Sequence, residues 1–254
     1  MIFPGAPAYN CGIIQYRLPR TSAGDGSFKE MAMYKVAQCW DDGVENDIIV
    51  AETCRHYGAK ATFNINPGLN QKNARETRWQ FEDFPVKYLS LAEMPSVYEG
   101  LTVASHTMTH PDPLKLTVLD FVREAVDARK FIEDTWQREA PGFAWPYGHF
   151  NDELVAALRE AGFAYGRTCK NVEKVIPCAE PLALPSNCHF LHPDFFNIWE
   201  KAKATGCFYF WGHSYEMKND PQKKARYEKI IAEISADPEA VWVDVVDLAR
   251  EGKK

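Results

Sequence analysis

The sequence predicts an α/β fold whose seven or eight mostly parallel strands close, or nearly close, into a barrel. Two observations carry that expectation. Apolar runs of strand length alternate with helix-length amphipathic stretches, a rhythm that implies right-handed crossovers and a parallel sheet. The polar residues Asp41, Asp42, Asn66, His106, Pro146, Tyr147, Arg167 and His213 fall at or just beyond the carboxyl ends of the expected strands, where a barrel gathers its catalytic loops.

The elements follow in order. Residues 1–30 hold Pro4, Pro7, Gly12, Pro19, Gly24 and Gly26 with little periodicity and predict an irregular N-terminal arm, leaving residues 31–254 as a single domain. A first strand at 32–40 runs into Asp41, and a helix at 46–57 stops at Gly58. The next strand, 61–66, turns at Pro67-Gly68. Residues 69–99 form a polar insertion rich in Lys, Arg and Trp, ending in a short helix-like stretch at 90–94. A strand at 101–105 precedes the strongly amphipathic helix 117–138 and the strand 143–145. Helix 151–161, strands 163–167 and 182–185, helix 194–205, strand 206–213, helix 223–236 and strand 240–244 complete the alternation.

Composition narrows the function. With 46% hydrophobic residues the chain has ample material for a core, which excludes a disordered protein, and its seven Trp and fifteen Phe are enough to line a cleft as well. The net charge of -6, without a basic stripe, gives no footprint for nucleic acid; Lys223, Lys224 and Arg226 read as a solvated helix face. No apolar run is long enough to span a membrane. The first residues lack the basic start and apolar centre of a secretory signal, so the cytoplasm is the expected location unless a leader precedes this sequence. Seven scattered cysteines do not make a disulfide framework, and Cys39 and Cys207 are expected to pack as small hydrophobes.

The chemistry is concentrated in two places. Asp41 and Asp42 close the first strand, and His106 and His110 follow the strand at 101–105. Taken singly, adjacent acids are as readily a turn opening a helix, and two histidines are as readily packed or capping groups. Together they supply two neutral imidazoles and a carboxylate for a divalent ion, zinc above all, with a second carboxylate left as a base. The spacing of four residues brings the imidazoles together if residues 107–110 begin a helical turn. Chain order alone does not divide the roles of Asp41 and Asp42.

Trp40-Asp41-Asp42-Gly43, Ser105 to His110, Trp145-Pro146-Tyr147-Gly148 and Trp211-Gly212-His213 resemble, in order, the motifs of the polysaccharide deacetylase family, also called NodB-homology or carbohydrate esterase family 4. The resemblance spans roughly residues 34–246. It implies a distorted (β/α) TIM-like barrel that binds one divalent metal ion and removes acetyl groups from an N- or O-acetylated carbohydrate by attack of metal-bound water. By the same resemblance Asp41 is the base, and Asp42, His106 and His110 hold the metal. Tyr147 donates its backbone N–H to the oxyanion, and His213 is the general acid.

The chain departs from the family at two positions. Ala144 stands where the family has an arginine beside its base, which makes Arg167 the candidate replacement. Trp211 stands where the family has a leucine of the acetyl pocket, and it either narrows that pocket or stacks on a sugar. Glu216 is placed to orient His213 or bind a hydroxyl. Trp145 is a further candidate for the substrate site. His189 and His192 form a second pair, with His189 a candidate for specificity and packed or capping roles the alternative. The expected partner is an acetylated carbohydrate; nothing in the sequence sets the oligomeric state. Two other readings remain: hydrolysis of a C–N bond in a small or cyclic amide, and a carbohydrate-binding domain with an impaired centre.

Overall fold

The computed structural model describes residues 33–250; the expected N-terminal arm lies outside the described residues. Strand β1 (Tyr34–Asp41) is followed by α1 (Asp47–Tyr57), β2 (Thr62–Ile65), β3 (Glu76–Phe81), β4 (Phe84–Tyr88), α2 (Met94–Val97) and β5 (Thr102–Ser105). Then come α3 (Val118–Trp136), β6 (Gly142–Ala144), α4 (Asp152–Glu160), β7 (Tyr165–Asn171), β8 (Leu184–Ser186) and β9 (Cys188–His189). The chain continues through α5 (Phe195–Lys203), β10 (Cys207–Gly212), α6 (Pro221–Ala236), β11 (Ala240–Trp242) and α7 (Val245–Arg250).

Among the described residues the main sheet has nine strands in the order β8-β7-β6-β5-β2-β1-β10-β9, with β11 also paired to β1. Its neighbours pair in parallel. The path resembles a distorted barrel. Its two ends, β8 and β9, are separated in sequence by Asn187 alone, whose amide side chain donates to Val172 and Glu173 and accepts from Tyr209 N–H at 2.7 Å.

Residues on a strand alternate between its two faces, and the alternation positions the site. On β1, Val36 and Trp40 join the apolar cluster containing Val50, Phe63 and Tyr227, while Ala37 and Cys39 join the one containing Tyr165, Tyr209 and Cys207. Asp41 continues the second row, as Arg167 follows Tyr165 and Trp211 follows Tyr209. Three strands therefore deliver polar or aromatic side chains to the same side of the sheet. Helix ends are capped by local chemistry: Thr117 and Asn151 side chains accept from the first turns of α3 and α4, and Gly58 takes the left-handed conformation that ends α1.

Several expectations need correction. Nine strands replace seven or eight, because the two-residue β9 is too short to leave a periodic signal. The insertion at 69–99 contains the antiparallel hairpin β3–β4, and its short helix lies at Met94–Val97. Exposed Arg78 and Gln80 alternate with inward Trp79 and Phe81, so the charged outer face masked the strand. The strand expected at 182–185 is a single helical turn followed by β8, and α7 extends beyond the last expected strand.

Candidate active site

Asp41 is the last residue of β1 and is almost wholly buried. Asn64, its register partner on β2, donates to one carboxylate oxygen at 2.8 Å. Arg167 donates to the other through Nη2. Ala144 on β6 is the register neighbour of Arg167 on β7, so the guanidinium reaches Asp41 from the strand next to the position where the family carries it. Trp211 covers it, with the guanidinium carbon 4.9 Å from the indole centroid. Burial alone would raise the Asp41 pKa, but Arg167, with His106 and His213, holds the carboxyl well below the usual carboxylate range.

Asp42 faces the two histidines. Its Oδ1 lies 3.7 Å from His106 Nε2 and 3.7 Å from His110 Nε2. These separations are longer than hydrogen bonds and close to the roughly 3.4 Å that donors about 2.1 Å from a tetrahedral ion keep from one another. His106 Nδ1 sits 2.8 Å from the Ala144 carbonyl, which can only accept, so Nδ1 carries the proton and Nε2 presents its lone pair towards Asp42. Burial pushes this imidazole down to about 4, which keeps it neutral. The donor set fits a divalent ion: one nearly buried carboxylate and two imidazoles, converging at contact distances that leave room for a cation.

The histidines do not meet through a helical turn. Thr107 and His110 have φ of 69° and 54°, in the left-handed region, and the loop is shaped by its contacts. His106 N–H donates to Ile65 O, Thr107 Oγ1 accepts from His110 N–H at 3.0 Å, and Glu124 of α3 accepts from Thr109 N–H and Oγ1. Gly68 presses on the same loop: its N–H donates to Met108 O, and a Cβ there would lie 2.8 Å from that oxygen. Asp42 and Tyr147 are also left-handed, at φ 85° and 58°. Four such non-glycine residues around one cleft mark a backbone held in costly conformations by its surroundings.

His213 follows β10 and lies with Nε2 3.9 Å from Asp41 Oδ2. Glu216, one turn on, accepts from His213 N–H at 3.0 Å and stands 3.4 Å from His213 Nδ1. His189 Nε2 approaches the same Glu216 oxygen to 2.8 Å. Burial works against protonation of His213, but Glu216, Asp42 and Asp41 overcome it and push the imidazole up to about 9. Burial likewise opposes ionisation of Glu216, yet the two imidazoles bring it down to about 2.

His189, His213 and Glu216 also form a cluster of metal-ligating types. Within it His189 Nε2 and His213 Nδ1 lie 2.8 and 3.4 Å from Glu216 Oε2, against 3.7 Å from each imidazole to Asp42 in the first set.

The remaining expected site residues divide. Tyr147 is exposed, and its ring meets His110 edge-on at 4.6 Å. Trp211 lines the cleft and packs edge-on to His189 and His213. Trp145 reaches the cleft wall and is wholly buried, stacked on Phe121 at 5.3 Å, with its indole N–H donating to Leu182 O. His192 stands apart from the cluster, accepting from Asp194 N–H at the start of α5. Sequence reasoning missed Trp79, Tyr88 and Tyr215, which line the cleft, and Glu124, which holds its histidine loop. The alternation along β3 was the available signal for Trp79.

The model of the polysaccharide deacetylase family matches residues 29–166, and the chain belongs to that family. It is 24% identical over 132 residues to YxkH of Bacillus subtilis (strain 168), a protein named for the same family; the match takes in 51% of this chain and 42% of that protein, so the chain spans less than half of this relative. Two solved structures share the fold. A Mycobacterium smegmatis protein named for the same family has a TM-score of 0.63 at 14% identity, covering 92% of this chain and 94% of that one. A family 4 carbohydrate esterase from Streptomyces lividans, solved in complex with acetate, has a TM-score of 0.52 at 17% identity, covering 82% and 90%. The family fold and a set of side chains able to hold a divalent ion thus stand together in one cleft.

Proposed function

We propose that this protein hydrolyses an acetyl amide or ester on a carbohydrate, using one divalent ion held by Asp42, His106 and His110, with zinc the ion best suited to that donor set. The observation that carries the reading is the grouping around Asp41: a buried carboxylate held by Arg167, with the metal-ligating set on one side and His213 on the other. When bound, a divalent ion lowers the pKa of water and polarises an acyl carbonyl.

The chain's own residues divide the proton transfers. Asp41, kept ionised by Arg167, accepts the proton of the attacking water at its carboxylate. The Tyr147 backbone N–H, set by the left-handed turn at that residue, donates to the oxygen that becomes negative. His213 carries a proton at neutral pH and delivers it from Nε2 to the departing nitrogen or oxygen. Glu216 and His189 act through His213 as positioning residues. Trp211 acts through Arg167 and shapes the cleft beside it.

Arg167 also bears on the reading of an impaired centre. The sequence reason for that reading was the alanine at position 144, and a guanidinium contacts Asp41 regardless.

The experiment is acetate release from acetylated chito- and xylo-oligosaccharides by metal-loaded protein, with small cyclic amides as competing substrates. Acetate release, abolished by chelation and restored by metal, is expected. Asp41→Asn should retain the ion and lose on the order of 100- to 10,000-fold in turnover. Turnover of the cyclic amides alone would replace the carbohydrate reading; undiminished turnover by Asp41→Asn would remove the base assignment.

A further inference from the structure

One wall of the cleft comes from outside the main sheet. β3 and β4 form a separate two-stranded sheet. On β3, Trp79 pairs with the buried Val86 and Phe81 pairs with Phe84 across the hairpin. Both aromatic rings meet Tyr215 edge-on, at 4.7 and 5.1 Å, two residues beyond His213.

The hairpin is fastened at both ends. At its base, Val44 bridges to Tyr88, Glu45 N–H donates to Lys87 O at 2.8 Å and Leu89 N–H donates to Gly43 O at 3.1 Å. Gly43 follows the metal-ligating Asp42 directly, so the hairpin is tied to the ligand loop itself. At its tip, Lys218 pairs with Glu82 and Asp83, each at 2.5 Å.

Trp79, Tyr88, Tyr215 and Leu69 face one cavity of about 550 Å³ together with Asp42 and His110. That volume is in the range of small-molecule sites. The lining joins apolar surface, to which the hairpin gives Trp79 and Tyr88, with the carboxylates, imidazoles and guanidinium of the site. A pyranose ring has the same division, with apolar C–H faces and a rim of hydroxyl groups, and indole is a large rigid surface for such a face.

We propose that Trp79 is a specificity-determining residue: the sugar ring bearing the acetyl group packs against its indole, and the hairpin confines the site to a short saccharide or a chain end. This rests on the deacetylase reading above and names the substrate class of that site.

The test compares wild type, Trp79→Phe and Trp79→Ala on N-acetylated chito-oligosaccharides of increasing length and on a short alkyl acetate. Trp79→Ala should raise KM for the saccharides roughly tenfold, with a smaller change in kcat, and so lower the preference for saccharide over alkyl ester; Trp79→Phe should recover much of it. In the wild type, kcat/KM should stop rising with chain length after the first few sugar units. Calorimetric binding of the same saccharides to Asp41→Asn and to Asp41→Asn/Trp79→Ala keeps the inference separable from turnover. Saccharide binding weakened by the tryptophan change, while metal-loaded wild type releases no acetate, would uphold the subsite and defeat the deacetylase reading. Equal losses on saccharide and alkyl ester, unaltered saccharide affinity, or kcat/KM that climbs steadily to long polymers would overturn the inference.

Discussion

Asp41, the proposed base, and Arg167 illustrate how a buried carboxylate can be held by a cation from a neighbouring strand. Asp41 is buried, and an ionised carboxylate there requires a cation. The expected arginine position holds Ala144, and Arg167 supplies the charge from the neighbouring strand at the same register. Trp211, the second departure from the family, lies over that guanidinium. The two departures are thus one arrangement. Arg167→Ala leaves a buried carboxylate unpaired and should destabilise the fold by about 3–5 kcal/mol in urea unfolding. Adding Ala144→Arg to that variant should recover part of the loss; no recovery would mean that the two positions do not serve the same carboxylate. For His213, the sign of the pH dependence follows from its raised pKa: an acid must be protonated, so turnover falls as pH rises through that value. Glu216→Gln removes the carboxylate charge 3.4 Å from His213 Nδ1 that helps to raise it, so the alkaline fall in kcat/KM should move to lower pH.

At the scale of elements, the structure explains which parts of the site could be read from sequence. Asp41, Asp42, His106 and His110 were legible because strand ends in an alternating α/β chain point residues of distant sequence to one rim. Their local geometry was not. The spacing of His106 and His110 suggested a helical turn, but Thr107 and His110 adopt left-handed backbone through contacts with Ile65, Gly68 and Glu124, none of which is near them in sequence. The β3–β4 hairpin was hidden because only one face of β3 is apolar. These contacts make a prediction: Glu124→Ala frees the loop from α3 without touching a ligand, and should weaken divalent-ion affinity by about tenfold or more in competition titrations against a chelating dye. Unchanged affinity would show that the loop holds its shape without α3.

For the whole molecule, the parallel α/β arrangement was legible because helix-length and strand-length segments alternate, whereas strand number was not, since β9 contributes only Cys188 and His189. Tertiary pairing, not local pattern, makes that segment a strand, and it brings His189 to Glu216. The fold thereby places two clusters of similar composition in one region, to which the proposed function gives different work: a cation between Asp42, His106 and His110, and protons among His189, Glu216 and His213. Anomalous diffraction from crystals of metal-loaded protein, measured on both sides of the metal's absorption edge, tests that assignment most directly. The account predicts a peak about 2.0–2.2 Å from Asp42 carboxylate oxygen, His106 Nε2 and His110 Nε2. A peak at His189, Glu216 and His213 in place of that one, or no peak at Asp42, would contradict it.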